Sequence, residues 1–418
     1  MQPNNYRTWI ELSRSALEHN LVSIKRLCEG SQLGIVVKSN AYGHGLHEIC
    51  TVLEPVKDVA WFFTAGVDEA LRIRQYGSKK NILAMAYLDS IPEAIVHGID
   101  CVAYDFENLQ RINWYAQKLD MQARVHLKVD TGMTRLGVAP REVFSIVSMI
   151  RSRYKAINLV GIFTHLSDTN NPDQSFSYEQ LDLFNTTLSD LKRSGYTFEC
   201  CHALSSGGLL LNYVQPSIRE LSEEVPSSKQ LGGALATSMS PLDRYRYAKK
   251  YSYDVTRVGT NLYGNWKSLA QRYFVTRYDK NFSLEPILSW KTSIVQIREV
   301  LPGISVGYNR MAVAQQLSRV AVIPVGYWDG YPREFFEGVS VLVGGQYAPL
   351  VGVVSMNFAT IDITHIPEAH VGMHVTLLGK GLGGEDKISA SALAYHVGTI
   401  NNEILTRINQ EIPRIIVD

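Results

Sequence analysis

Eight short apolar, β-rich runs recur in the first two thirds of this chain, at 34–38, 61–65, 82–87, 101–104, 124–130, 159–165, 197–206 and 254–264. Amphipathic segments such as 67–75, 107–119 and 178–193 lie between them. Strands alternating with helical patterns build parallel βαβ units. Eight such units predict an α/β fold of the (β/α)8 TIM barrel type, whose usual size of about 250 residues fits the span to Trp266. One spacing is too long. The polar stretch 216–252, between the seventh and eighth runs, reads as an insertion outside the catalytic machinery. After Leu284 the pattern changes to strand-like runs with Gly and Pro punctuation and no helix between them, which predicts a C-terminal mainly-β domain. Helices at 390–397 and 402–410 finish the chain. The boundary falls within 270–284, giving domains at 1–275 and 276–418. A first strand at 7–12 precedes a helix capped by Ser13 or Ser15.

Bulk properties narrow the function classes. A net charge of +1 argues against a nucleic-acid or anionic-membrane partner. Cysteines 28, 50, 101, 200 and 201 are odd in number and lack framework spacing, so they read as reduced thiols of a cytoplasmic protein. The N-terminus carries no signal-peptide run, and no stretch is apolar for long enough to cross a bilayer.

Chemistry concentrates at 34–45. The run Gly34-Ile35-Val36-Val37 leads into Lys38, and a turn containing Tyr42, Gly43 and Gly45 follows. A lone lysine at a strand end often snorkels into water. A buried one has a lowered pKa and becomes a Schiff-base former. The turn offers backbone amides and a tyrosine hydroxyl to an anion. An amine beside a phosphate cradle is what pyridoxal 5'-phosphate (PLP) requires. In a barrel enzyme the site lies at the C-terminal strand ends. Those ends supply Lys38 and Tyr42, then Lys128 to Gly137 with Arg135, then Thr164-His165, then His202 to Ser206, and finally Arg257 to Gly264 with Gly259 and Thr260. All are groups suited to one phosphate-bearing aromatic ligand. No metal is expected: His44 and His47 lack a HExxH helix context. The glycine-rich 379–384 stretch lacks Walker spacing and reads as a hairpin loop.

Val-Val-Lys-Ser-Asn-Ala-Tyr-Gly-His-Gly, Lys-Val-Asp-Thr-Gly-Met-x-Arg-Leu-Gly, Phe-Thr-His, Arg-x-Gly-x-x-Leu-Tyr-Gly and the segment 325–333 are similar to motifs of the alanine racemase family, and they occur in family order. The resemblance implies a fold-type III, PLP-dependent amino-acid racemase that supplies D-alanine, a peptidoglycan precursor. Placed on this chain, Lys38 carries PLP and acts as one acid/base. His165 lies beside the pyridine ring and Arg257 faces its nitrogen. A guanidinium is not deprotonated in proteins, so Arg257 donates a hydrogen bond without protonating the ring. Tyr42, Ser206, Gly259 and Thr260 bind the phosphate. Lys128, free or carbamylated, orients Arg135 toward the substrate carboxylate, and Met356 also meets the substrate.

The segment 306–310 resembles the one carrying the second base, here Tyr308. Two bases are needed because one lysine returns the proton to the face it left. In the family the two belong to different subunits, so a head-to-tail homodimer with shared active sites is implied, with Tyr327 and Asn357 in support. Two departures stand out. Asn357 follows Met356 where the family usually has Asp, and Asn402 stands where it usually has a tyrosine that binds phosphate and narrows the pocket. The substrate is expected to be a small amino acid, alanine first, with serine or a broader range as the alternative. A barrel-type PLP decarboxylase is disfavoured by Tyr308 and the Lys128–Arg135 motif, a non-enzymatic PLP carrier by the full second domain, and a cofactor-free Schiff-base barrel by the turn at 42–45.

Overall fold

The computed structural model describes residues 6–28, 30–171, 173–211, 251–336, 338–381 and 387–418. Almost all of the 216–252 stretch lies outside them. Tyr251, near its end, is buried and stacks on Tyr178.

Strand β1 (Thr8–Ser13) opens the chain and leads into helix Arg14–Lys25, whose N-cap Ser13 accepts a hydrogen bond from the Ala16 amide. The barrel strands follow: β2 (Gln32–Val36), β3 (Val59–Thr64), β4 (Asn81–Ala84), β5 (Asp100–Ala103), β6 (Ala123–Lys128), β7 (Ile157–Phe163), β8 (Cys200–His202) and β9 (Val255–Val258). They form one parallel sheet in the order β8-β7-β6-β5-β4-β3-β2-β9. Its two ends meet through the Asp254 amide on the Cys201 carbonyl and the Arg257 amide on the Leu204 carbonyl, each at 3.0 Å. The sheet thereby closes as the eight-unit pattern predicts. Near-continuous apolar runs such as Trp61-Phe62-Phe63 are buried on both faces, as parallel strands covered by helices must be.

The second domain holds a larger mixed sheet, a three-stranded sheet of Gln296–Val300, Ser318–Ile323 and Ala359–Asp362, and a two-stranded hairpin of Ser305–Val306 and Ala312–Val313. Strand β1 belongs here. It pairs antiparallel with β10 (Leu288–Ser293) and parallel with Arg414–Val417. Both ends of the chain thus enter this sheet, whereas the sequence reading kept residues 7–12 with the barrel; such long-range pairing leaves no mark on local periodicity. A second difference is helix Leu269–Tyr278, capped by Ser268, which overlaps the 270–284 stretch where the sequence reading placed only a domain boundary. Strands His374–Lys380 and Lys387–Ile388 pair antiparallel on either side of the glycine-rich stretch, as a hairpin requires. The cysteines are unpaired. No helix among the described residues is long and apolar enough to cross a membrane.

Candidate active site

Strand β2 stops at Val36, and Lys38 opens a short helical turn of unusual hand. Ser39, Asn40, Ala41 and Tyr42 all have φ between 53° and 56°. Each left-handed non-glycine residue costs roughly 1–2 kcal/mol. Strain of this kind persists only where surrounding groups over-determine it. Here the Glu69 carboxylate, buried at the start of helix Val67–Gln75, accepts from the Asn40 amide (3.1 Å) and the Ala65 amide (3.2 Å). The Asn40 side chain accepts from the Leu46 amide at 2.8 Å. His44 places Nδ1 2.9 Å from the Ala41 carbonyl and stacks on Tyr263, whose hydroxyl donates to the Val36 carbonyl. Burial pulls His44 down to about 4, so it is neutral and Nδ1–H is the donor.

Lys38, half-buried at the head of this turn, has its pKa lowered by desolvation and then by Arg135, against an opposing pull from Glu69. Strand β6 ends on Lys128, which is lowered to about 8 by burial and then by the charges of Arg135 and Arg257. The Arg135 loop is organised by Asp130, whose carboxylate accepts from the amides of Gly132, Met133 and Thr134. Lys128 and Arg257 both lie over the Phe163 ring, 5.6 and 5.4 Å from its centroid. None of Lys38, Lys128, Arg135, Arg257 and Lys267 has a carboxylate within ion-pair distance among the described residues. Five unpaired cations at one barrel mouth make a site for an anionic ligand.

Arg257 is fully buried. It donates to the Thr164 carbonyl (2.7 Å) and the Ala203 carbonyl (3.1 Å), and it meets Nδ1 of His165 at 3.3 Å and Nδ1 of His202. His165 is held well below its ordinary pKa by burial and then by Arg257, so its ring is neutral. Behind Arg257 a buried chain runs down the barrel interior. His202 Nε2 meets His126 Nδ1 at 3.1 Å, and His126 Nε2 meets Asp100 at 3.1 Å. Asp100 also accepts from Arg124. His126, His202 and Cys200 lie close enough together to suggest a metal cluster. However, every ring nitrogen of both histidines is already engaged, which leaves no imidazole ligand free. The sequence reading missed this relay. The available signal was that His126 and Lys128, two apart on one strand, share a face.

The residues expected from the sequence to meet a phosphate lie together here. Tyr42, pushed up to about 12 by burial, has its hydroxyl bonded to Thr260. Ser206 accepts from the Gly259 amide at 3.0 Å. A Cβ on Gly259 would stand 2.8 Å from the Tyr42 hydroxyl, so only glycine admits this approach. Asn402 donates to Thr260 at 3.3 Å, while its neighbour Asn401 turns to the Trp266 carbonyl. Asn402 Oδ1 and Ser205 Oγ are buried without partners among the described residues. Hydroxyls, a close-approaching backbone and surplus cations suit a phosphate-bearing aldehyde.

The remaining expected residues lie elsewhere. Tyr308 sits at the tip of the two-stranded hairpin, 65% exposed, followed by left-handed Asn309 and Arg310. The hairpin rests against Gly352. Met356 and Asn357 are exposed on the loop that follows, and that loop is tied to Tyr327 through the Tyr327 amide on the Ser355 carbonyl. No hydrogen bond joins these four to Lys38. The C-terminal helix Asn401–Arg407 connects the two regions: the Leu405 carbonyl packs on Gly43 and the Arg407 carbonyl on Gly330.

The chain matches the family profiles "Alanine racemase, N-terminal domain" over residues 12–225 and "Alanine racemase, C-terminal domain" over residues 287–416. It belongs to the alanine racemase family. The alanine racemase of Halothermothrix orenii is 32% identical over 411 residues, 97% of this chain and 96% of that protein. The solved alanine racemase of Clostridium difficile superposes with a TM-score of 0.83 at 26% identity, covering 99% of this chain and 96% of the other. That of Bacillus anthracis, solved with bound L-Ala-P, gives 0.82 at 25% identity over 100% and 96%. This alanine racemase family member is therefore an isomerase of amino acids, and both of its domains have counterparts in the family.

Proposed function

We propose that the chain racemises alanine with PLP, using Lys38 on one face of the substrate and Tyr308 of a second copy on the other. The observation that carries this is the convergence of a half-buried, unpaired Lys38 with the Tyr42–Ser206–Gly259–Thr260 cradle at one barrel mouth. The L-Ala-P in the Bacillus anthracis relative is consistent with an alanine-sized substrate.

PLP, when bound, supplies a conjugated electron sink for the electrons released at the α-carbon. The remaining work falls to side chains. Tyr42, Ser206, Gly259 and Thr260 would hold the phosphate by hydroxyls and backbone. Arg257, fixed by two carbonyls and a histidine, stays charged and would present a hydrogen bond to the ring nitrogen without giving up a proton. An unprotonated ring nitrogen beside Arg257 would favour reprotonation of the substrate over side reactions. His165, neutral, would lie beside the ring.

Arg135 binds the substrate carboxylate, and Lys128 orients it. With its pKa near 8, Lys128 has an appreciable free-amine fraction at neutral pH. Carbamylation by carbon dioxide would turn its repulsion of Arg135 and Arg257 into attraction. Lys38, with its lowered pKa, exchanges the α-proton on its own face.

Tyr308 is too exposed in one chain to act alone. Met311, Trp328, Met356 and Phe358 are further exposed apolar side chains of the same domain, which supports a head-to-tail dimer that delivers Tyr308 to the other barrel. Met356, Asn357 and Tyr327 would line that junction.

Asn402 occupies the cradle corner beside Thr260, and its unpartnered Oδ1 offers an acceptor to a serine hydroxyl. Serine is therefore the second substrate. The test is incubation with single-enantiomer amino acids followed by chiral chromatography. Alanine of either hand should approach an equal mixture. Carbon dioxide release without inversion would establish a decarboxylase instead.

A further inference from the structure

Lys267 lies outside every motif that carries the family resemblance, yet the fold delivers it to the cradle. Its backbone neighbourhood is pinned from several sides. The Asn265 amide donates to the Thr260 carbonyl at 3.1 Å. Asn261 donates to the Asn265 carbonyl at 3.0 Å, and Asn401 to the Trp266 carbonyl at 2.8 Å. The segment 265–267 is thereby fastened to Thr260 on one side and to the neighbour of Asn402 on the other. The ammonium reaches Thr169 Oγ1 at 3.5 Å. It also stands 3.2 Å from where a Cβ on Gly207 would be, one residue beyond Ser206.

Its electrostatic surroundings are one-sided. No carboxylate among the described residues pairs with it. Desolvation and then Lys38 lower its pKa, and its own charge helps hold His165 down. A largely desolvated amine among other cations is costly unless an anion neutralises it. Gly207, beside the ammonium, follows Ser206 in the chain, and the backbone of the same segment is tied to Thr260.

We propose that Lys267 is a charge ligand of the phosphate held by Tyr42, Ser206, Gly259 and Thr260. This rests on the cofactor reading of that cradle. It also accounts for Asn402: where the family usually places a tyrosine on the phosphate, this chain has a weaker neutral donor, and a lysine from a different segment supplies full charge. An ammonium binds phosphate as a point charge and needs no bidentate geometry.

The full-length chain, freed of cofactor, is titrated with PLP and with pyridoxal, which lacks the phosphate. The titrations compare wild type with Lys267→Met, Lys267→Gln and Lys267→Arg. Circular dichroism and gel filtration report folding. Loss of a charge-assisted hydrogen bond should raise the PLP dissociation constant about tenfold or more in the Met and Gln variants. Pyridoxal affinity should stay within about twofold and Lys267→Arg close to wild type, since only the phosphate contact is removed.

Equal losses for PLP and pyridoxal, or none for either, would overturn the assignment. So would unchanged PLP affinity with a raised KM for alanine, which would place Lys267 on the substrate. The cofactor reading is judged separately on wild type. Borohydride reduction should fix the pyridoxyl group on Lys38, and PLP should bind more tightly than pyridoxal. If wild type passes and the variants bind PLP like wild type, only the Lys267 inference falls.

Discussion

Replacing Glu69 by glutamine tests whether the left-handed turn behind Lys38 is held from outside. Four non-glycine residues at φ near 55° carry about 4–8 kcal/mol of conformational cost in total. The Glu69 carboxylate offsets part of it by accepting from the Asn40 and Ala65 amides. Glutamine keeps the size but has one oxygen. One of the two amides must then face an NH2 group and go unpaired, at about 1–3 kcal/mol. Amide exchange at Asn40 or Ala65 should accelerate roughly 5- to 150-fold, the same free energy expressed as a rate. The urea midpoint should fall by on the order of 1 M or less for an m-value of a few kcal/mol per molar. Exchange is read residue by residue by NMR or by mass spectrometry of short peptides. Unchanged exchange at both amides would refute the reasoning, even if the midpoint moved. Glu69 would then stabilise its own helix start and not the turn.

Two further outcomes follow from the site. Asn402→Tyr should lower the ratio of kcat/KM for serine over alanine several-fold, since one hydrogen bond of ~1 kcal/mol is lost and a ring fills its space; an unchanged or higher ratio removes Asn402 as the determinant. For Lys128, the folded pKa near 8 lies below the ordinary 10.5, so between those values the unfolded chain keeps a proton that the folded chain has released. Unfolding free energy should therefore rise with pH across that window in carbonate-free buffer, and Lys128→Met should lose this rise, as measured by urea midpoints at pH 7.5 and 9.5.

The barrel was legible because buried parallel strands write themselves as short apolar runs, and eight of them leave few other architectures. Strand ends were less so. The sequence reading ran its first strand through Lys38, but the strand stops at Val36, and nothing in Ser-Asn-Ala-Tyr advertises a left-handed turn: Glu69 holds it from 29 residues away, and His44, which braces Ala41 locally, is itself fixed by stacking on Tyr263. The pairing of Thr8–Ser13 with Arg414–Val417 joins the two chain ends and has no local signature. Helix Leu269–Tyr278 was missed because the motifs stop just before it and a boundary was placed there. At the site, the polar groups gathered at the barrel mouth could be read from strand ends, while their assignment to a phosphate came from the resemblance. Tyr308 could not, since an exposed hairpin tyrosine looks ordinary until a second face of the substrate needs a proton. The Asp100–His126–His202 chain and Lys267 lay hidden for a related reason: each is defined by neighbours distant in sequence.

The central claim is that Lys38 and Tyr308 serve one substrate from two chains. Lys38→Ala and Tyr308→Phe proteins, each inactive alone, are mixed and allowed to exchange subunits, with exchange verified by native mass spectrometry. An equal mixture should recover activity at about one quarter of its sites, because half the dimers are mixed and each of those has one intact site. Verified exchange with no recovered racemisation would contradict the account.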